Sequence, residues 1–302
     1  MSTKLPNFLI VGAAKSGTSS LHNYLNQHPD IFLPSFDSKG KKVKEPRFLI
    51  KQIVEQRLHN GVWDYEEYKS LYSAVDNEIA IGEATVLYLY YYNHAIKNII
   101  HYLNKDVKII IMLRNPTERA YSAYQHVSKG VREQKSFEEA LSIEENRMQD
   151  DKTITPMIMY KGMGMYYKMV KAYLDTFKNV HIILYDDFRD NTKIEMMKVY
   201  KFLGVENDVN VNLNVKHNKG GRRWRNSFLK HLFIEDNFVK IFFKSILPKK
   251  IRRHIYKILS NFSKNNTKKI NKETQMYLNN YFKDDIFELS KLINKDLEHW
   301  TR

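Results

Sequence analysis

A single lysine set among glycines and hydroxyls is the first place in this chain where chemistry is visible. The stretch Phe8-Leu-Ile-Val-Gly12-Ala-Ala-Lys15-Ser16-Gly17-Thr18-Ser19-Ser20 runs from an apolar segment into a small-residue loop, and Leu21-His-Asn-Tyr24-Leu25 follows at amphipathic-helix spacing. A strand, a tight loop and a helix start gather backbone N–H groups, the positive end of a helix dipole and the lysine charge into an anion cradle. Glycine lets such a backbone approach a phosphate where a Cβ would obstruct it. Nucleotide-triphosphatase loops put lysine directly after the second glycine, with Ser or Thr next to hold magnesium. Here Lys15 stands two residues before Gly17, and Thr18 takes the lysine's place. The pattern suggests a phosphate site of another kind; its plain alternative is a strand–loop–helix corner carrying a solvated lysine.

Three more charged positions deserve the same scrutiny. In Lys44-Glu45-Pro46-Arg47 the proline biases Glu45 away from helix, so its carboxylate belongs on an extended segment at a loop edge. Taken alone, that piece is a surface Lys–Glu pair by default. Glu83 ends the short apolar run from Ile79 and is expected at the end of a strand, with Tyr88 close behind. Arg114 follows the run Val107-Lys-Ile-Ile-Ile-Met-Leu113, and Pro116 marks a helix start beyond it. That helix carries Ser122 and, one turn on, His126, which either faces a cleft or simply packs. Further along, Lys219-Gly220-Gly221-Arg222-Arg223 is a flexible basic loop or a nucleic-acid contact.

Positioning these groups requires alternating elements. Apolar runs at Phe8–Gly12, Val107–Leu113 and Val180–Tyr185 have the β-rich, continuous character of buried parallel strands. Helical patterns occupy 64–72, 93–103, 117–126, 136–148, 160–177 and the stretch after Asp187 to Leu203, and Glu273–Trp300 reads as an amphipathic helix pair. The expectation is an α/β protein, a central parallel β-sheet flanked by helices in three layers. Ligands in such sheets bind beyond the carboxyl ends of the strands, where Gly12, Glu83 and Arg114 are all expected.

Composition narrows the partners. With 302 residues, 43% hydrophobic content, 20 Tyr and 16 Phe, the chain can bury a large core and is not a disordered sequence. Cysteine is absent, which rules out a disulfide or a cysteine-ligated zinc and fits a reducing, cytoplasmic setting. No signal pattern opens the chain and no apolar run is long enough to span a bilayer. The net charge of +15 calls for an anionic partner, yet it is concentrated: between Asn237 and Lys272 there are 11 Lys and Arg and no acid.

The ordered set Gly12-Ala-Ala-Lys15-Ser-Gly17-Thr18-Ser19, Lys44-Glu45-Pro46 and Arg114-Asn-Pro-Thr-Glu-Arg-Ala-Tyr-Ser122 resembles the sulfotransferase family, with its P-loop-like fold. The likeness is to glycan sulfotransferases of the heparan sulfate type and their bacterial relatives. Gly164-Met-Tyr166-Tyr167, Asn218-Lys-Gly220-Gly-Arg222-Arg223 and Leu292-Ile-Asn-Lys-Asp-Leu297-Glu-His-Trp300 extend it along almost the whole chain. The resemblance implies 3′-phosphoadenosine 5′-phosphosulfate (PAPS) as donor and no metal. It makes Lys15, Ser16, Gly17, Thr18, Ser19 and Ser20 the 5′-phosphosulfate site, with Lys15 neutralising the oxygen that bridges sulfur and phosphorus. It assigns Arg114 and Ser122 to the 3′-phosphate, and Tyr166 with Lys219, Gly220, Gly221, Arg222 and Arg223 to a cover over the nucleotide. Glu45 becomes the general base, with His126 a possible helper, and Lys44, Arg47, Glu83 and Tyr88 fall on the acceptor side. Family members of animal origin often have His at the position of Arg47 and Lys at that of Ala84, so the acceptor's identity does not transfer.

The expected organisation is one domain over 1–302, with a basic helical insertion at about 226–270 and a helical cap at 271–302. The expected acceptor is a carbohydrate or lipid-linked glycan. Pro248 divides the basic insertion, where Phe242, Phe243, Ile246 and Leu247 could enter an anionic membrane surface. A helical cap packed on the body, with a solvated basic face, explains 237–262 equally well. Two other classes stay open: a P-loop kinase or NTPase, disfavoured by the displaced lysine, and a nucleic-acid-binding protein, disfavoured because the charge lies away from the presumed site.

Overall fold

In the computed structural model, residues 4–35, 40, 43–128, 133–209, 211–213 and 269–302 are described, with the backbone alone of 222–224 and 264–266. Strands β1 (Phe8–Gly12), β2 (Ile31–Phe32), β3 (Ala80–Ala84), β4 (Lys108–Leu113) and β5 (Val180–Leu184) form one sheet in the order β2-β3-β1-β4-β5. All four pairings are parallel, with Phe8 opposite both Gly82 and Lys108, and Ile109 opposite Val180. Backbone-only strands β6 (Arg222–Trp224) and β7 (Lys264–Asn266) pair antiparallel.

Side chains alternate across a strand, and here both faces are buried. Leu9, Val11, Ile109, Ile111 and Leu113 face one apolar cluster; Phe8, Ile10, Ile110 and Met112 face another. Helices cover each side. On the second face lie α1 (Thr18–Leu25), through Leu21 and Leu25, and the later helix Thr192–Leu203, through Met196, Val199 and Leu203. On the first lie α2 (Lys51–Val54), α3 (Tyr65–Ser70), α4 (Tyr92–Tyr102), α5 (Pro116–Val127), α6 (Phe137–Ser142) and α8 (Tyr166–Thr176). Between α6 and α8 runs α7 (Glu144–Asp150); α9 (Tyr185–Asp190) and α10 (Thr192–Leu203) follow β5. The expected α/β, P-loop-like arrangement of helices on a parallel sheet is the observed one.

Several boundaries differ from the sequence reading. The expected helix 136–148 is two, α6 and α7, joined at Ile143, and the stretch after β5 breaks at Asn191 between α9 and α10. The pattern over 160–177 starts with a 3-10 turn at Gly162–Gly164 before α8. In place of a helix pair, one long helix, α11 (Lys272–Ile293), ends at Asn294 in a left-handed conformation and is followed by the 3-10 turn Glu298–Thr301. No helix among the described residues is long and apolar enough to cross a membrane.

The polar contacts of α11 explain how it holds the body. Asp285 is buried and accepts the N–H groups of Tyr166 at 2.6 Å and Tyr167 at 3.1 Å, capping α8 from another element. Burial raises its carboxyl pKa to about 6, although the two N–H bonds pull the other way. Replacing Asp285 by Ala orphans both donors at the start of a packed helix. Urea unfolding of Asp285→Ala at pH 7.5 is expected to show a loss of about 1–2 kcal/mol.

Candidate active site

β1 and β4 end side by side, and the ladder continues one step past β1, with the Ala13 N–H donating to the Met112 carbonyl at 2.6 Å. The loop after β1 then turns through Lys15 (φ 71°) and Gly17 (φ 95°) into α1. Only glycine is at ease at position 17: its left-handed φ strains other residues, and a Cβ there would meet the Tyr185 ring at 3.1 Å. At Gly12 a Cβ would lie 2.5 Å from that of Leu89, so this strand end too must be glycine. No side chain caps α1; the Ser20 N–H bonds the Gly17 carbonyl at 2.9 Å, and the N–H groups of Thr18 and Ser19 before it suit an anion.

Arg114, directly after β4, is fixed on several sides. Its guanidinium bonds Glu118 at 2.8 Å and 3.0 Å, donates to the Lys15 carbonyl at 3.4 Å, and lies 4.7 Å from the centre of the Tyr185 ring. Its own carbonyl accepts from the Tyr166 hydroxyl at 3.0 Å. The helix beyond starts where it does because Asn115 Oδ1 accepts the N–H groups of Thr117 and Glu118 and Pro116 takes the first position.

Glu45 and Arg47 face the loop from the other side. They form an ion pair at 3.4 Å, each side chain 19% exposed. Arg47 has a positive φ of 61°, its N–H donates to Thr85 Oγ1 at 3.2 Å, and its guanidinium reaches the Asn60 carbonyl. The Lys44 ammonium turns the opposite way and donates to Ser19 Oγ at 2.7 Å, tying the Glu45 segment to the first turn of α1.

A cavity of about 940 Å³ joins these groups. Lys15, Gly17, Thr18, Ser19, Ser20, Arg114 and Ser122 line it, and Glu45, Arg47 and His126 line the same space. Leu58, Val86, Leu87 and Met157 supply apolar wall. The volume falls in the range of pockets that hold nucleotide-sized ligands. Among the described residues, no group of three or more His, Asp or Glu side chains could hold a metal ion.

Some expected members of the site are elsewhere. Ser16 is fully buried, with its hydroxyl toward Tyr166 rather than lining the cavity. Tyr166, expected as a cover, is buried beneath the site, and its hydroxyl serves the Arg114 backbone. Glu83 and Tyr88, expected on the acceptor side, are fully buried. Glu83 lies near the end of β3, as expected, one residue before Ala84, but it is enclosed, and Tyr72 donates to its Oε2 at 3.3 Å. Tyr68 and Tyr88 crowd the same carboxyl, and Tyr88 Oη accepts the Leu49 N–H at 3.2 Å. Lys219, Gly220 and Gly221 lie outside the described residues, as does 237–262; Arg222 and Arg223 are described only as backbone in β6.

Other lining residues were not singled out in the sequence. Tyr185 backs both Gly17 and Arg114, and Gln275 and Asn279 of α11, with His299 and Arg302, close the side next to α5. Nothing in their spacing marks them; the sequence reading ends a buried strand at Tyr185, whereas β5 ends at Leu184 and Tyr185 opens α9.

With this geometry in view, the comparisons with known proteins agree. A family profile described as "Sulfotransferase domain" matches residues 5–226, and the chain belongs to that family. A crystal structure of a sulfotransferase from Alicyclobacillus acidocaldarius superposes with a TM-score of 0.73 at 29% identity, covering 99% of this chain and 100% of that one. Mouse carbohydrate sulfotransferase 15 is 26% identical over 253 residues, 67% of this chain and 44% of the relative. Mouse bifunctional heparan sulfate N-deacetylase/N-sulfotransferase 3 is 24% identical over 307 residues, 99% of this chain and 31% of the relative. The chain thus spans less than half the length of these two curated relatives.

Burial is the main reason that Glu83 is pushed up to about 7, while bonds from the surrounding tyrosines pull it back. The unfolded chain releases that proton near the ordinary value of 4.5, the native state only near 7. Native protein therefore holds the extra proton between these values, and stability falls as pH rises through the window. Glu83→Gln keeps the shape without the charge. Its melting temperature should exceed that of the parent at pH 8 and decline less between pH 5 and 8, as read by thermal denaturation.

Proposed function

We propose that this sulfotransferase moves a sulfuryl group from PAPS to a hydroxyl of a carbohydrate or lipid-linked glycan. The observation carrying this reading is that Lys15, Glu45 and the pair Arg114 and Ser122, from three separate stretches of the sequence, line one cavity at the carboxyl ends of adjacent parallel strands. The loop fits a phosphate group, since it turns at Gly17 (φ 95°) into a helix start that no side chain caps, with Lys15, Thr18, Ser19 and Ser20 around the cavity. PAPS supplies the activated sulfuryl group and a bisphosphorylated leaving nucleotide.

Each residue then has a defined task. The N–H groups of Thr18 and Ser19, with the hydroxyls of Thr18, Ser19 and Ser20, hold the 5′-phosphosulfate end. Arg114 and Ser122 hold the 3′-phosphate, a planar guanidinium being suited to paired contacts with phosphate oxygens. Glu45 accepts the proton of the attacking hydroxyl as that oxygen bonds to sulfur. The bond from sulfur to the bridging oxygen breaks, and Lys15 neutralises the charge left on that oxygen. In-line alignment of hydroxyl, sulfur and bridging oxygen supplies much of the remaining acceleration. Arg47, paired with Glu45, keeps the carboxylate aimed before the acceptor arrives. His126, exposed at the same cavity, is placed to contact the acceptor.

The carbohydrate acceptor is supported by the names of the relatives, carbohydrate sulfotransferase 15 and a heparan sulfate N-sulfotransferase. A cytoplasmic location and contact of 237–262 with an anionic membrane fit the composition, as does a packed cap with a solvated basic face; the first would go with a glycan acceptor presented at that surface. Transfer from labelled PAPS to glycan and glycolipid extracts tests the activity. Glu45→Gln should lose at least about 100-fold in turnover while binding adenosine 3′,5′-bisphosphate as the parent does. Lys15→Ala should lose turnover by a similar factor. Retention of near-parental turnover by Glu45→Gln would remove Glu45 as the base.

A further inference from the structure

The turn Glu298–Thr301 touches the site through residues that the sulfotransfer chemistry does not use. Trp300 is among the largest fully buried side chains of the protein. Its backbone carbonyl accepts from Asn115 Nδ2 at 3.1 Å, and its indole Nε1–H donates to Asp186 Oδ2 at 3.1 Å. These two partners are neighbours in a specific sense. Asn115 directly follows Arg114, and Asp186 directly follows Tyr185, the ring on which the Arg114 guanidinium lies.

One buried tryptophan therefore bridges the residue after the cation and the residue after its aromatic support. Other bonds make the bridge stiff. Asp186 is also held by Arg189 at 3.0 Å and faced by His299 at 3.5 Å. Asn279 of α11 donates to the Arg302 carbonyl at 2.9 Å and accepts from Thr117 Oγ1 at 2.7 Å, joining the turn to the start of α5 a second time. Packing of the indole alone would call for burial; it would not call for hydrogen bonds to the ends of two different strand-following segments.

We propose that Trp300 is a positioning residue for the 3′-phosphate: it fixes the spacing between Arg114 and the Tyr185 ring, so that the guanidinium meets the phosphate already aligned. This rests on the assignment of Arg114 to the 3′-phosphate made above. A prealigned cation binds without the cost of ordering a long side chain, which is where such a brace acts. Its effect should thus be confined to ligands that carry the 3′-phosphate.

Trp300→Phe retains most of the packing and deletes the N–H. By titration calorimetry it should weaken binding of adenosine 3′,5′-bisphosphate roughly fivefold, the scale of one lost hydrogen bond, while binding of adenosine 5′-monophosphate changes less than twofold. Asp186→Ala removes the same bond from the other side and should show the same selectivity, so the proposal does not depend on one variant folding well. In an Arg114→Ala background, Trp300→Phe should add no further loss for the bisphosphate, since the two act as one unit. Equal weakening of both nucleotides, or a fall in melting temperature with bisphosphate affinity unchanged, would overturn the brace. If the parent protein bound neither nucleotide, the donor assignment itself would fall, an outcome distinct from loss of selectivity in the variants.

Discussion

Two strands ending at the same level, β1 and β4, are the constraint on which the rest of this site depends. Their backbone ladder runs on through the Ala13–Met112 bond, so the loop carrying Lys15 and the residue Arg114 leave the sheet as neighbours. Both carry positive charge, and Arg114 is held by backbone and aromatic contacts as well as by Glu118. The Arg114 guanidinium donates to the Lys15 carbonyl, and the Tyr185 ring backs Gly17 and Arg114 together. Two cationic residues on one cavity, carried by rigid elements, suit the anion site proposed here, and such preorganisation is where electrostatic catalysis gains most.

Much of this was legible in the residues. Continuous β-rich apolar runs such as Val107–Leu113 are typical of strands buried on both faces, and their alternation with helical patterns pointed to the layered sheet. The loop at Lys15–Ser20 and Arg114 stood out because glycine, proline and charge mark backbone turns at strand ends; Glu45 and Ser122 became site residues only through the resemblance to the sulfotransferase family. What could not be read was depth. Glu83 looks like a strand-end carboxylate because a polar residue after Ile-Ala-Ile-Gly suggests an exit to solvent; in the fold Tyr68, Tyr72 and Tyr88 enclose it. Tyr166 carried no sign that its hydroxyl would serve backbone. Helix breaks at Ile143 and Asn191 have neither proline nor glycine to announce them. Residues near the end of the sequence, His299 and Arg302, reach the cavity only through packing of α11 on the body, and local spacing contains nothing of that.

The bond between Lys44 and Ser19 has a consequence for how the two half-sites respond to one another. Glu45 stands next to a residue anchored on the opening turn of α1, so in the reaction proposed above that turn and the carboxylate are mechanically joined without a bound acceptor between them. Linked equilibria are reciprocal. An acceptor that shifts the segment 44–47 must therefore alter the affinity of the loop for its anion by the same factor as the anion alters the affinity for the acceptor. Dissociation constants for the two substrates would then not be independent, and each has meaning only at a stated concentration of the other.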